Sequence, residues 1–306
     1  MNTESYGSYP CRQTSPITLG HELVGVVHVV GEEVTQISVG DNVAVDPNSG
    51  CNTCTPCRDG KYHFCSVGGI SNTIGMWLDG GWAEFCAVPA DQIFKLAENI
   101  TLKQAALVEP LSCVAHGWDR ILPIPIGSNI LILGAGIIGN LWASVLHLQG
   151  HRRVIVSEPQ EARRKLLQKL ETNFEIISPK ELKAKKQADS SWGVDLVIEC
   201  SGHAPAIEEA LMLLRSGGTL CIFGVSSSEA RISVSPFHLY KEELKIIAVK
   251  INPFTFNKAL GWIEAMGDRY IDYKKLGIEV YPLKDFKEAV RELKKGSIAK
   301  AIFEIN

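Results

Sequence analysis

Apolar and polar positions change rhythm near residue 129. Before it, apolar runs such as VGVVHVVG (24–31) and NVAV (42–45) stand between turn signals, Gly40-Asp41 among them, so residues 17–46 read as all-β. A loop rich in Gly, Pro, Cys and Asn follows at 47–82, and AEFCAVPA (83–90) predicts a return to strand. From 129 to 250 strand-like runs alternate with amphipathic ones. NILILGAG, RVIVSEP, VDLVIECSG, GTLCIFGV and LKIIAVK read as strands, and IIGNLWASVLHLQG, QEARRKLLQKL and APAIEEALMLLRSG as helices. That alternation predicts an α/β, doubly wound parallel sheet with helices on both faces. The tail, 278–306, reads as a strand, an amphipathic helix and a final strand.

Composition narrows the class. The 306 residues are 45% hydrophobic and 21% charged, enough for two globular domains. A net charge of −3 offers no basic excess for nucleic acid or an anionic membrane surface. KELKAKK (180–186) reads as the solvated face of a helix. No Lys, Arg, Asp or Glu occurs between Arg120 and Arg152, but Pro123, Pro125, Asn129 and Asn140 break that stretch. A buried strand, a turn and a helix explain it better than a membrane span. The first twenty residues lack the basic and apolar regions of a secretory leader, so a cytoplasmic, reducing setting is expected. There, clustered cysteines among the nine favour metal over disulfide.

Cys51, Cys54, Cys57 and Cys65 are spaced C-x2-C-x2-C-x7-C. Four thiolates can occupy the vertices of a tetrahedron around zinc, with Zn–S about 2.3 Å, and leave no open position. Such a zinc is structural and ties down the long loop. An iron–sulfur cluster is the rival use of four thiolates, but nothing else in the chain suggests electron transfer. Cys86, Cys200 and Cys221 sit singly in apolar runs and read as small buried hydrophobes.

GAGIIG (134–139) matches G-x-G-x-x-G between a strand and a helix, the context a dinucleotide turn requires. Gly134 would make the tight turn, Gly136 would admit a pyrophosphate, and Gly139 would let strand and helix close up. The helix start, at Ile137 and Ile138, would take the phosphates. Glu158 ends the next strand, nineteen residues after Gly139. An acid there accepts ribose hydroxyls and repels a 2′-phosphate, which favours NAD over NADP. Arg163 and Arg164 lie nearby and could host the extra phosphate. The bland alternative is a plain strand–helix turn.

His21 and Glu22, in GHE (20–22), and Glu109, an acid within the apolar run ALVEPLSCVAHG, are of the types that bind catalytic zinc. A buried carboxylate is costly unless it is paired or holds a metal. Together the three could bind zinc and leave a position open for substrate.

These pieces carry a resemblance. LGHELVGVV, VGDNVAV, the four-cysteine lobe, DGGWAEFCAVPAD, VEPLSCVAHG, GAGIIG and PLKDFKEAVRELKKG span nearly the whole chain. In that order they resemble the zinc-dependent medium-chain alcohol dehydrogenases, in the polyol (sorbitol-like) branch. The resemblance implies a GroES-like catalytic domain (1–112 and 274–306) and a Rossmann domain (113–273). It also implies a homo-oligomer and NAD-linked oxidation of a secondary alcohol on a small-molecule polyol. The EPL at 109–111 looks like the branch in which a glutamate replaces a cysteine ligand, and the roles of Glu22 and Glu109 stay undivided. Family members carry strands before GHE, with a zinc-ligand cysteine and a proton-relaying Ser or Thr. Cys11 stands too close to His21 to match that cysteine and reads as a loop thiol. The expectation is a catalytic zinc short of one thiolate, impaired activity and a β domain with open edges. A threonine-dehydrogenase-like enzyme and a non-catalytic, zinc-stapled NAD-binding protein are the alternatives. A zinc-finger-like nucleic-acid binder is disfavoured by the charge.

Overall fold

The computed structural model describes residues 16–305; Cys11 lies outside the described residues. Strands β1 (Val24–Val26), β2 (Asn42–Val45) and β3 (Ile93–Lys95) form an antiparallel sheet in that order. The segment between β2 and β3 holds the clustered cysteines, a short α-helix, α1 (Thr55–Arg58), and three single-turn 3-10 helices. After β3 come α2 (Leu102–Ala105), begun by a Thr101–Gln104 capping box, and α3 (Val108–Ile121).

The alternating region then follows. Its strands are β4 (Ile130–Leu133), β5 (Val154–Ser157), β6 (Glu175–Ile177), β7 (Val194–Glu199), β8 (Leu214–Ile222) and β9 (Lys245–Ala248). Between them run α4 (Ile137–Leu148), α5 (Glu161–Gln168), α6 (Pro179–Ala188), α7 (Ala204–Leu213) and α8 (Pro236–Glu242). The six strands are parallel in the order β6-β5-β4-β7-β8-β9. The chain winds outward from β4, returns to its other side at β7, and leaves a crevice at the carboxyl ends of β4 and β7. Period-2 alternation splits the sheet cleanly. Ile130 and Ile132 join one apolar cluster, Leu131 and Leu133 the other, because helices cover both faces.

Helices α9 (Phe256–Tyr270) and α10 (Tyr273–Leu276) lead back to the first lobe. There β10 (Ile278–Pro282) and β11 (Lys300–Glu304) pair in parallel around α11 (Phe286–Lys295). The expected boundary at 112/113 falls inside α3, so the two lobes share a helix. Near its far end Gly117 meets the sheet-side core so closely that a Cβ would lie 2.8 Å from the Trp142 ring.

Four local readings change. AEFCAVPA forms no strand: Phe85 is 67% exposed and lies against His28, and pairing starts only at Ile93 after the Pro89 turn. Alternation there marks a segment without a ladder partner among the described residues. VGVVHVVG pairs only as far as Val27, whose amide donates to the Asp41 carbonyl at 2.9 Å. Helix α7 stops at Leu213, four residues before the expected end, because Leu214 already enters the ladder opposite Val194. Three-residue β6 is too short to display a period.

Candidate metal and dinucleotide sites

The four cysteines converge. Their sulfurs all lie within 4.8 Å of one another, with Cys54 and Cys57 3.4 Å apart. The sequence folds locally to do this: Pro56 starts the α1 turn that turns Cys57 back over Cys51 and Cys54, Gly50 leaves room for the Cys57 sulfur, and Gly68 admits the Ser49–Gly50 backbone. The Cys54 amide donates to the Cys51 sulfur at 3.4 Å, and the Gly68 amide to the Cys65 sulfur at 3.1 Å. The Thr53 hydroxyl, together with backbone amides, holds the Cys51 thiol down to about 5. The Gly68 amide lowers Cys65 in the same way. Both shifts favour the thiolate, the form that binds metal. The donor set is all sulfur and suits a closed tetrahedral zinc.

The glycine turn has the three features its spacing predicts. Gly134 adopts φ +100°, a left-handed conformation that glycine tolerates. A Cβ on Gly136 would meet nothing within 4 Å, so that side of its backbone is open. A Cβ on Gly139 would lie 2.0 Å from the Gly134 carbonyl oxygen, so strand and helix close on one another only through glycine. Helix α4 opens at Ile137, with Ile138 in its first turn and Gly136 as N-cap. Glu158 is buried beside the turn and accepts from the Ala135 and Gln160 amides, each at 2.8 Å. Arg164 is turned away, donating to the Glu158 and Pro159 carbonyls at 2.8 Å. Arg163, on α5, keeps a buried Nε with no partner.

His21, Glu22 and Glu109 form a second convergence, one ligand atom of each within 4.8 Å of the others. His21 and Glu22 come from the loop before β1, and Glu109 from the first turn of α3. The 75–81 turn packs directly on Gly20 and His21; a Cβ on Gly75 would lie 2.3 Å from the Gly20 carbonyl oxygen. Burial pushes the His21 imidazole down to about 4, leaving it neutral with a lone pair to give. The two acids differ. Burial raises Glu22, but the Lys300 ammonium on β11, which touches it, and the neighbouring His21 together more than offset burial and bring it to about 2. Burial and the neighbouring Glu22 push Glu109 well above the carboxylate range, and no cation pairs with it among the described residues. A buried carboxyl beside a neutral imidazole, lacking a positive partner, fits a dication.

Several participants escape the sequence reading. Lys300 reaches Glu22 across 278 positions. Cys113 lies one helical turn beyond Glu109, its sulfur 3.7 Å from Glu109 Oε1. Asp46 accepts from Asn252 Nδ2 at 3.0 Å and from the Tyr62 hydroxyl at 3.3 Å, while Asn48 Nδ2 donates to Asn252 Oδ1 at 2.8 Å. That buried net ties the cysteine lobe to the chain that leaves β9.

Residues 2–98 match the alcohol dehydrogenase GroES-like domain, and residues 138–265 match the zinc-binding dehydrogenase domain. A D-arabinitol dehydrogenase of Uromyces fabae is 31% identical over 283 residues, covering 91% of this chain and 79% of that one. A D-altritol 5-dehydrogenase of Agrobacterium fabrum is 33% identical over 260 residues, 83% of this chain and 74% of that one. A zinc-binding dehydrogenase of Sinorhizobium meliloti, solved with NADP bound, superposes with a TM-score of 0.82 at 31% identity. That match covers 93% of this chain and 82% of the other. No helix among the described residues is long and apolar enough to cross a membrane.

Proposed function

The chain belongs to the zinc-dependent medium-chain polyol dehydrogenases, and on that premise we propose that it oxidises a secondary alcohol of a sugar alcohol to the ketose, with NAD as acceptor. Zinc is held at two places, by Cys51, Cys54, Cys57 and Cys65 as a staple and by His21 and Glu109 with Glu22 at the reacting centre. The observation that carries this reading is Glu109, a buried acid converging on His21 without a cation of its own.

At that centre bound zinc supplies a Lewis acid for the substrate oxygen, and the dinucleotide a hydride acceptor. The chain supplies the rest. His21 gives a neutral nitrogen. Lys300 cancels the charge of Glu22, so once Glu109 gives up its proton to a metal the donor set would present one net negative charge to a dication. The positive charge left over is what favours a developing oxyanion in a dry site. The Gly136 backbone and the start of α4 would receive the pyrophosphate, with the Glu158 carboxylate held beside them by the Ala135 and Gln160 amides. Glu158 favours NAD because a 2′-phosphate would be placed against its carboxylate, and because Arg164 is already spent on two carbonyls.

Two measurements test this reading together. Elemental analysis should return two zincs per chain. Sugar alcohols should then reduce NAD, followed at the NADH absorbance, faster than NADP. One zinc per chain with no turnover on any sugar alcohol would refute it.

A further inference from the structure

Cys113 touches the second cluster, and the reaction above gives it no part. It stands four residues after Glu109 on α3, so both side chains leave the same face of the helix. Its sulfur lies 3.7 Å from Glu109 Oε1, the separation of a thiol donating to an oxygen. Glu109 is buried, and a carboxylate that gives one oxygen to a metal leaves the other in need of a donor. A buried acceptor left without one costs about 1–3 kcal/mol.

The other nearby hydroxyls are committed elsewhere. Ser112 donates to the Glu109 backbone carbonyl at 2.6 Å, not to its side chain. Tyr62 is turned to Asp46 at 3.3 Å and to the Asn252 carbonyl at 3.5 Å. Among the described residues, the Cys113 thiol is the side-chain donor recorded on the Glu109 carboxyl.

We propose that Cys113 is a positioning residue: its S–H holds the Glu109 carboxyl aimed at His21 and Glu22 and so sets the affinity of that cluster for zinc. The proposal rests on the reading of His21, Glu22 and Glu109 as a zinc site. Direct ligation by the sulfur is a different arrangement, and the geometry disfavours it. The atoms that lie within 4.8 Å of one another are those of His21, Glu22 and Glu109, with the Cys113 sulfur outside the set. Hydrogen-bond partners of metal ligands typically change affinity by about 10–100-fold when removed.

The test is zinc affinity, not turnover. The full chain is titrated with zinc against a chromophoric chelator, with the four-cysteine site filled as an internal reference. Cys113→Ala and Cys113→Val both remove the donor and bracket the cysteine in volume, alanine smaller and valine larger. Both should weaken the second site by about tenfold or more and leave the first unchanged. Wild-type affinity in Cys113→Val would make the effect one of packing and overturn the proposal. Wild-type affinity in both would overturn it as well. With cobalt in the second site, the wild type should show no thiolate-to-cobalt charge-transfer band there. A band that Cys113→Ala abolishes would make the sulfur a ligand, which also overturns it. His21→Ala separates the two levels: if it leaves two zincs per chain, the site itself is misassigned. If it removes the second zinc while both Cys113 variants bind normally, Cys113 alone is misassigned.

Discussion

The two clusters of metal-ligand side chains are built by opposite means. Cys51, Cys54, Cys57 and Cys65 lie within fifteen residues, and amides of the same loop point at their sulfurs. His21, Glu22, Glu109 and Lys300 come from the loop before β1, the start of α3 and the last strand. The first cluster needs only a short loop to close, at modest entropic cost, and metal binding there is itself folding free energy. The second exists only once the β lobe, α3 and the tail have docked. A local site is therefore robust and inert, whereas an assembled site senses every element that brings it a ligand.

The largest effect should come from breaking the staple. Cys57→Ser should cost roughly 5 kcal/mol in urea unfolding, the range reached when a structural metal is lost. Limited proteolysis should then cut first within 47–75. The assembled site should answer next. His21→Ala should lower kcat/KM by about 1000-fold, roughly 4 kcal/mol of transition-state stabilisation, while the melting temperature stays near wild type. If that variant also empties the cysteine site, the two clusters are not independent.

Lys300→Met probes how the tail serves the second site. It leaves the Glu22 carboxylate without its cation, at about 3 kcal/mol in metal-free protein. The loss should shrink in zinc-loaded protein, because the dication replaces the missing charge. Denaturation with and without chelator measures the difference.

Between the clusters, Asp46 should give stability a pH dependence of its own. Burial raises its folded pKa from 3.8 to about 6, against the pull of Asn252, Asn48 and Tyr62. Its protonated form is thus favoured in the fold. The contribution is fully present below pH about 4 and is lost as pH rises through about 6. Relative to Asp46→Asn, the wild type should lose roughly 2–3 kcal/mol between pH 4 and pH 7. A flat difference would mean that Asp46 is not desolvated. The smallest effect is expected at Glu158→Ser. It should narrow the preference for NADH over NADPH by about tenfold, about 1.4 kcal/mol, read as the ratio of dissociation constants.

What the sequence reveals follows the same division. The cysteine spacing and the glycine turn are legible because their geometry is local: four ligands in one loop, three glycines in one strand–helix turn. Glu109 is legible as an acid inside an apolar run. Lys300 is not, because nothing in SIAKAIFEIN marks one lysine of an edge strand as the partner of an acid 278 positions earlier. Cys113 is hidden because a cysteine in an apolar helix looks like core. The α9 helix could have been found: Phe256, Ala259, Ile263, Met266 and Tyr270 recur at helical spacing and are buried. AEFCAVPA misleads in the other direction, since alternation records a capacity to pair and not the presence of a partner.

The shared helix α3 has a mechanical consequence. It is a lever whose long end carries Glu109 and whose fulcrum is Gly117, wedged against Trp142. The two points are eight residues apart, about 12 Å at a rise of 1.5 Å per residue. Adding one methyl group at the fulcrum and tilting the rod by about five degrees would carry the carboxyl roughly 1 Å off target, a displacement that can cost about 100-fold in rate. The tolerance of the Glu109 cluster is thus set in the hydrophobic interior of the other lobe, by the absence of a side chain.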